Sequence, residues 1–399
     1  MVEVPGVARC VGRLWHCQAM ASLTLGVLAD SRKTDEFRLP IHPEHFSRIP
    51  AALRAQITVE SGYGARFGAT DAQLATLVGA VAPRAEVLAA SDIVLLPKPV
   101  LADLTDLRDG HVLWGWPHVV QDPAFTQVAI DKGLTLIAWE AMNHWTARGE
   151  FSSHVFYLNN EIAGYASVLH ALTLTGSTGR YGRALSAVVL GFGNTARGAV
   201  EALSALGVHD ITVLATADAD VAATALGSAP VTRVYSMDVQ PGVVRVRTQD
   251  GDVAAATFLA KHDVIVNCVL QDTDSPMMFV SGEELAMFAP GSLIVDVSCD
   301  TGMAFDFARS TTFAHPVVTV GDRVTYYAVD HSPSFLWNSS TWVISEALLP
   351  YVPIVMAGPD AWQADVTISR AIEIRAGMVQ NPRILSFQGR AAAFPHALP

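Results

Sequence analysis

The string from Ser186 to Gly198, SAVVLGFGNTARG, sets a strand-like run ahead of Gly191-x-Gly193-x-x-Ala196 and the start of a helix. Each position has a physical reason for its residue type. Gly191 permits a tight turn, Gly193 lets the backbone approach a pyrophosphate, and the small Ala196 lets helix and strand pack closely. The helix N-terminus, with Asn194 and Thr195, then faces an anion. This spacing points to a dinucleotide. The next strand, ITVLAT, ends on Ala215 or Thr216, where a carboxylate would hold the ribose 2′-hydroxyl of NAD. The missing acid removes the repulsion against a 2′-phosphate, yet no Arg or Lys stands there to bind one. Asp218 and Asp220 read as loop acids. The cofactor is expected to be NADP or NAD, with the balance leaning to NADPH. Leu270, closing DVIVNCVL, is assigned to the same site.

Other polar residues close strand-like runs elsewhere. Arg38 lies in KTDEFRLPIHPE after the opening strand and turn, Lys98 ends IVLLPK, and His118 ends VLWGWPH. Groups at the carboxyl ends of parallel strands meet in one crevice, where open α/β sheets bind ligands. Singly, each also fits a surface ion pair or a loop position; together they define a candidate site. Asp300, just past SLIVDVSC, would face the nicotinamide ribose or a substrate amine, or would form a turn with Thr301-Gly302. Cys268 and Cys299 read as small buried residues, and the 13 histidines form no HxxxH or HExxH pair, so no metal site is expected.

The elements that must position these residues follow from the apolar pattern. From Leu23, the runs LTLGVLA, ITVES, DIVLLPK, HVLWGWPH and LTLIAWE alternate with helix-length stretches, which predicts a largely parallel sheet with crossover helices. Much of 160–174 is expected as a helix, and the break Gly176-Ser177-Thr178-Gly179 as a hinge. SAVVLGFG, ITVLAT, DVIVNCVL and SLIVDVSCD then predict a second α/β unit. Beyond about Val324, a short strand TYYAVD and helices ending in one around TISRAIEIRAGMVQ have no sheet of their own and should pack back on one unit.

Composition sets the frame. At 399 residues, 51% hydrophobic and 16% charged, the chain can fill two or three cores. No apolar run reaches the roughly 18 residues of a membrane span. A net charge of −12, with no basic run longer than a dipeptide, argues against nucleic acid as a partner. Four scattered cysteines without CxxC suit a reducing cytoplasm. Residues 1–21 are expected as an extension ahead of the opening strand.

The strings Phe37-Arg38-Leu39-Pro40, Pro97-Lys98-Pro99, Gly115-Trp116-Pro117-His118, Ala163-Gly164-Tyr165-Ala166, Leu190-Gly191-Phe192-Gly193-Asn194, Val295-Asp296-Val297 and Val329-Asp330-His331-Ser332-Pro333-Ser334 occur in this order. In that order the chain resembles the alanine dehydrogenase and transhydrogenase superfamily, most of all lysine-forming saccharopine dehydrogenase and N5-(carboxyethyl)ornithine synthase. The resemblance implies two Rossmann-like doubly wound parallel-sheet domains of α/β class. The nucleotide-binding one (161–324) is inserted into a discontinuous substrate domain (22–160 and 325–399). It also implies that Arg38 binds a keto acid's carboxylate, that Lys98 and His118 act as acid and base, and that Asp300 lies beside the nicotinamide. Glu140, closing LTLIAWE, and His331 join Arg38 on the substrate side.

Two departures shape the expected activity. The Arg pair expected before the AGxA helix in saccharopine enzymes is replaced by His154 and Val155, which removes the partner of a distal carboxylate. His331 stands where alanine dehydrogenases carry Asn, which favours the saccharopine-like pattern. The expectation is reductive condensation of an amino acid with a 2-keto acid. The alternatives are an ammonia-using amino acid dehydrogenase and a non-catalytic nicotinamide sensor. The oligomeric state is left open.

Overall fold

The alternating apolar runs form two sheets. The computed structural model describes residues 22–226, 229–240, 243–272 and 275–398. The extension expected at 1–21 lies outside them. In the first sheet β1 (Leu25–Val27), β2 (Ile57–Glu60), β3 (Ala80–Ala82), β4 (Ile93–Leu95), β5 (Val112–Gly115) and β6 (Thr135–Ala138) run parallel in the order β3-β2-β1-β4-β5-β6. β1, β4, β5 and β6 are buried along their whole length. That is the signature of parallel strands covered on both faces, and it explains why they read as continuous apolar runs.

The second sheet repeats this plan. β7 (Ser186–Leu190), β8 (Asp210–Ala215), β9 (Arg233–Gln240), β12 (Val264–Asn267), β13 (Leu293–Asp296) and β15 (Val324–Tyr327) are parallel in the order β9-β8-β7-β12-β13-β15. Antiparallel strands finish both edges: β10 (Val243–Thr248) and β11 (Gly251–Ala254) beside β9, and β14 (Val317–Val320) beside β15. β10 alternates exposed and buried residues, and β11 and β14 are mostly exposed or half-buried, so none of the three has the apolar run that marks the centre. In each sheet the strand order reverses beside the first strand, which opens a crevice at the carboxyl ends.

Three expectations are corrected. A boundary at 325 would cut β15, whose Val324, Tyr326 and Tyr327 are fully buried in the second sheet, so the chain crosses back beyond Tyr327. The break at 176–179 is not where the units meet. Helix α1 (Tyr157–Leu174), which precedes it, already packs on α2 (Asn194–Ala205) of the second unit, and the Gly179 N–H donates to Leu206 O at 3.0 Å. The helix expected around TISRAIEIRAGMVQ ends at Ala371, and a further helix follows at Pro382–Gln388. Between them, β16 (Ile372–Arg375) and β17 (Met378–Val379) form a hairpin that extends the first sheet antiparallel to β6. The period-2 pattern of Ile372-Glu373-Ile374 overrides helical propensity there, and Gly377 at φ +80° supplies the turn.

The approach of α1 to α2 depends on two glycines. A Cβ at Gly164 would lie 1.9 Å from Thr195 O, and one at Gly198 would lie 1.8 Å from Glu161 O. The return segment docks on the first unit. Ser334 Oγ accepts from the Phe37 N–H at 2.7 Å and Thr341 Oγ1 from the Leu39 N–H at 2.9 Å, fixing the backbone on both sides of Arg38. Among the described residues no helix is long and apolar enough to cross a membrane.

Candidate active site

Two kinds of loop face each other across the crevice. On the second unit, β7 leads through Gly191 (φ +102°) and Gly193 into α2. A Cβ at Gly191 would lie 3.2 Å from Cys268 O, whereas one at Gly193 would meet nothing within 4 Å. No side chain caps α2 and its first turn carries no acidic residue, so its leading N–H groups and the space at Gly193 suit an anion. Ala196 is fully buried beneath the turn. These residues fit the pyrophosphate of a dinucleotide. Ala215 is buried within β8, and the exposed Thr216 follows at that strand's carboxyl end. Leu270, 91% exposed, stands beyond β12 at the mouth of the crevice.

On the first unit, side chains from separate strand ends converge. Lys98 follows β4, His118 follows β5 and Glu140 follows β6; the loop after β1 brings Lys33, Glu36 and Arg38. Arg38 and Glu36 form a buried ion pair, with Nε donating to Glu36 Oε1 at 2.7 Å and Nη2 to Oε2. Burial opposes the Glu36 charge, but Arg38 outweighs it and holds the carboxyl below the usual range. Of the guanidinium, Nη1 remains, 3.4 Å from Asn159 Oδ1, and the group lies 5.1 Å over the Trp116 ring.

Asp330 organises the next layer. It accepts from Lys33 Nζ at 2.6 Å and from His331 Nδ1 at 2.6 Å, and its carbonyl accepts from Lys98 Nζ at 3.5 Å. Burial would raise its pKa, but the His331 hydrogen bond and the Lys98 and Lys33 charges hold it far below the ordinary carboxylate range. Lys98 is pushed down by burial and by the Arg38 and Lys33 charges, against the pull of Asp330. His118 is lowered by desolvation in the cleft and by Lys98, which keeps the ring neutral at physiological pH, although half its side chain is open to the cleft.

Two backbone positions in this site are strained. His118 at φ +47° and Cys299 at φ +47° occupy the left-handed region that disfavours side chains, at a cost on the order of 1–3 kcal/mol each. Each is gripped by a carboxylate. Glu140 Oε1 accepts the His118 N–H at 2.7 Å, and Asp296 Oδ1 accepts the Cys299 N–H at 3.0 Å. Asp296 also accepts from Tyr326 Oη at 2.7 Å and Asn267 Nδ2 at 2.9 Å, and burial raises it to about 6. The strained Cys299 delivers Asp300 to the crevice, where Gln121 Nε2 of the first unit donates to its Oδ1 at 3.2 Å. The Cys268 and Cys299 thiols are pushed well up, chiefly by burial, and neither is a thiolate at neutral pH.

The converging groups line two adjoining cavities. One, of about 330 Å³, includes Lys98, His118, Gln121, Cys299, Asp300 and Asp330. The other, of about 290 Å³, includes Arg38, Lys98, Trp116, His118, Glu140 and His331. The structure thus brings Arg38, Lys98, His118, Glu140 and His331 together, with Asp300 across the crevice. Gly191, Gly193, Asn194, Thr195, Ala196 and Thr216 belong to the separate loop edge. Sequence reasoning missed Lys33, Glu36 and Asp330, although all three lie inside the strings that carried Arg38 and His331.

This pairing of a glycine-turn unit with a cationic unit is matched by family models. The model described as "Alanine dehydrogenase/PNT, C-terminal domain" matches residues 173–382, and the corresponding N-terminal domain model matches residues 26–154. The chain belongs to the alanine dehydrogenase/PNT family. It is 23% identical over 373 residues to an alanine dehydrogenase of Mycobacterium tuberculosis, covering 90% of this chain and 95% of that one. It is also 23% identical over 340 residues to an N(5)-(carboxyethyl)ornithine synthase of Clostridium botulinum, covering 83% and 94%. A solved L-alanine dehydrogenase structure superposes with a TM-score of 0.72 at 20% identity, over 92% of this chain and 99% of that chain, which shows the shared fold. As a member of this family the protein is an oxidoreductase that uses a nicotinamide cofactor.

Proposed function

We propose that the protein catalyses the reversible reductive condensation of an amino acid with a 2-keto acid. The observation that carries this reading is the cleft itself: a lysine of lowered pKa and a neutral histidine, flanked by a buried arginine, opposite an aspartate on the nucleotide-binding unit. Arg38 Nη1 and Lys98 would hold the keto acid's carboxylate and carbonyl oxygen. Glu36 and Asp330 balance Arg38 and Lys33, so an incoming carboxylate favours protonation of Lys98. That proton then serves the loss of water from the carbinolamine, and neutral His118 accepts the proton that the attacking amine gives up. Bound nicotinamide supplies the hydride that reduces the imine carbon. Asp300, fixed by Cys299 and Gln121, orients groups at the unit boundary. With Thr216 and no acid at the ribose position, NADPH is the favoured reductant, and the free-metabolite substrates suit the reducing cytoplasm that cysteine usage suggests.

The test is NAD(P)H oxidation with pyruvate, glyoxylate or 2-oxoglutarate, each paired with ammonium or with single amino acids. Turnover with an amino acid but not with ammonium is expected. Turnover with ammonium alone would overturn the reading in favour of an ammonia-using amino acid dehydrogenase, which the likeness to the Mycobacterium tuberculosis alanine dehydrogenase favours.

A further inference from the structure

His118 stands at φ +47° ahead of the helical turn Val119–Gln121, and Gln121 closes that turn on Asp300. A left-handed histidine persists only where its surroundings enforce it. Glu140 grips the His118 N–H, which fixes one atom and leaves the carbonyls of the turn to be held. Val119 O accepts the Asp122 N–H at 3.3 Å and the Thr126 hydroxyl at 2.9 Å. Val120 O has no donor of the first kind, because the residue three places on is Pro123, which carries no N–H. One side chain reaches both carbonyls: Gln388 Nε2 donates to Val119 O at 2.7 Å and to Val120 O at 3.2 Å, and it also lies 3.0 Å from Thr126 Oγ1.

Gln388 ends the helix that follows the β16–β17 hairpin. Gly389, at φ +66°, stops that helix and folds the chain back, so that the Arg390 N–H reaches Leu385 O and Arg390 Nε donates to Gln388 Oε1 at 2.5 Å. A guanidinium only donates, so the amide oxygen must face it. The amide nitrogen is thereby turned toward Val119 O and Val120 O, which only accept. Arg390 is 6% exposed and is itself held by neutral acceptors, Gln127 Oε1 at 2.8 Å, Pro123 O at 2.9 Å and His396 O at 3.1 Å. Among the described residues no carboxylate forms an ion pair with it. Burying a guanidinium without a counter-charge is costly, and what this one secures is the orientation of one amide and the helix Pro123–Asp131 that follows the turn. Gln388 lines neither crevice cavity, whereas His118, Gln121 and Asp122 line the first.

We propose that Gln388, oriented by Arg390, is a positioning residue for His118 and Gln121, acting through the turn between them. Glu140 holds the N–H that enters the turn and Gln388 holds the carbonyls within it, so the backbone is clamped at two points from two separate elements. The His118 ring thereby keeps its place among Lys98, Arg38, Lys33, Asp330 and Glu140. The effect on turnover rests on the condensation reading above; the placement of the ring does not.

Two substitutions in the full chain test this. Gln388→Glu keeps the contact with Arg390 but turns an oxygen toward Val119 O and Val120 O, whereas Gln388→Met keeps the length and removes the donors. NMR of the ring-labelled histidines, with the His118 signal identified by its loss in His118→Gln, follows that imidazole through a pH titration, and thermal unfolding monitors the fold. A ring that leaves its place loses the desolvation and the Lys98 repulsion that depress it, so in both variants His118 should titrate about one pH unit higher. Turnover, measured with whichever amine the unaltered chain accepts, should show kcat lowered about tenfold to a hundredfold with the keto-acid KM within about twofold. An unmoved His118 titration in either variant that unfolds cooperatively overturns the proposal; a lowered unfolding midpoint beside it would leave Gln388 a role in stability alone. A shifted titration with unchanged kcat would keep the positioning role and instead remove His118, and the proton transfer assigned to it, from the condensation reading.

Discussion

The two units share one strand order but use their crevices differently. In the second unit, β7 passes to α2 through a turn at Gly191 and Gly193, and what faces the crevice there is backbone. In the first unit the connection after β1 runs through residues 28–42 before the next helical turn, and charged side chains line the crevice. A backbone site requires glycine and a fixed short spacing. A side-chain site can be gathered from Lys33, Lys98, His118 and Asp330, which share nothing in sequence except a place at a strand end. The units also hold their working residues alike, since a carboxylate grips the N–H of a left-handed residue on each side of the crevice, Glu140 at His118 and Asp296 at Cys299.

The sharpest test of this division is Lys98→Met. Removing a group with an acid–base role should lower turnover by about 10²–10⁴-fold, while cofactor affinity, measured by fluorescence titration, stays nearly constant. Equal loss of both would mean that the units do not divide the work. The reciprocal change, Gly191→Ala, places a side chain at φ +102° against Cys268 O. It should weaken cofactor binding by about tenfold, equivalent to about 1.4 kcal/mol, without altering keto-acid affinity at saturating cofactor.

Asp296→Asn tests the paired grips. Loss of one buried acceptor should cost about 1–3 kcal/mol in denaturant unfolding and reduce kcat severalfold through the Cys299–Asp300 loop, with cofactor Kd unchanged. An unchanged kcat would show that the grip only stabilises the fold.

The smallest expected effect is on pH dependence, where two regions of the crevice have opposite signs. Glu140 and Glu373 have raised folded pKa values, so the native state binds protons more tightly than the unfolded chain. Their contribution to stability is present below the ordinary carboxylate range and declines as pH rises above it. Asp330 has a depressed folded pKa, so its contribution is present above the ordinary range and is lost as pH falls below it. Thermal unfolding across mildly acidic to neutral pH should therefore show a decline that Glu373→Gln flattens. An unaltered slope in that variant would remove Glu373 as its source.

Much of the crevice's lining was legible in the residues, for reasons that differ between the units. Buried parallel strands are continuous apolar runs, so their ends, and with them Arg38, Lys98, His118, Glu140 and Asp300, could be located from sequence. The glycine turn identified itself. The edge strands β10, β11 and β14 did not, because half-exposed strands lack such runs. Glu373 was hidden for a stronger reason. Its segment reads as the continuation of a helix, and only pairing with β6, more than 200 residues earlier, makes it a strand and brings the carboxylate to Glu140. Lys33 and Asp330 were hidden by the same distance, since their ion pair joins loops almost 300 residues apart.

The hairpin that completes the first sheet also dictates an order of assembly. The second sheet is contiguous in the chain and can close during synthesis, whereas β6 waits for β16 and presents an unpaired edge until almost the whole polypeptide has emerged. A nascent chain can therefore complete its second sheet before its first. Loss of the last few dozen residues would leave a molecule whose open strand edge invites self-association, so translation that stops early should yield aggregate rather than a partly active enzyme.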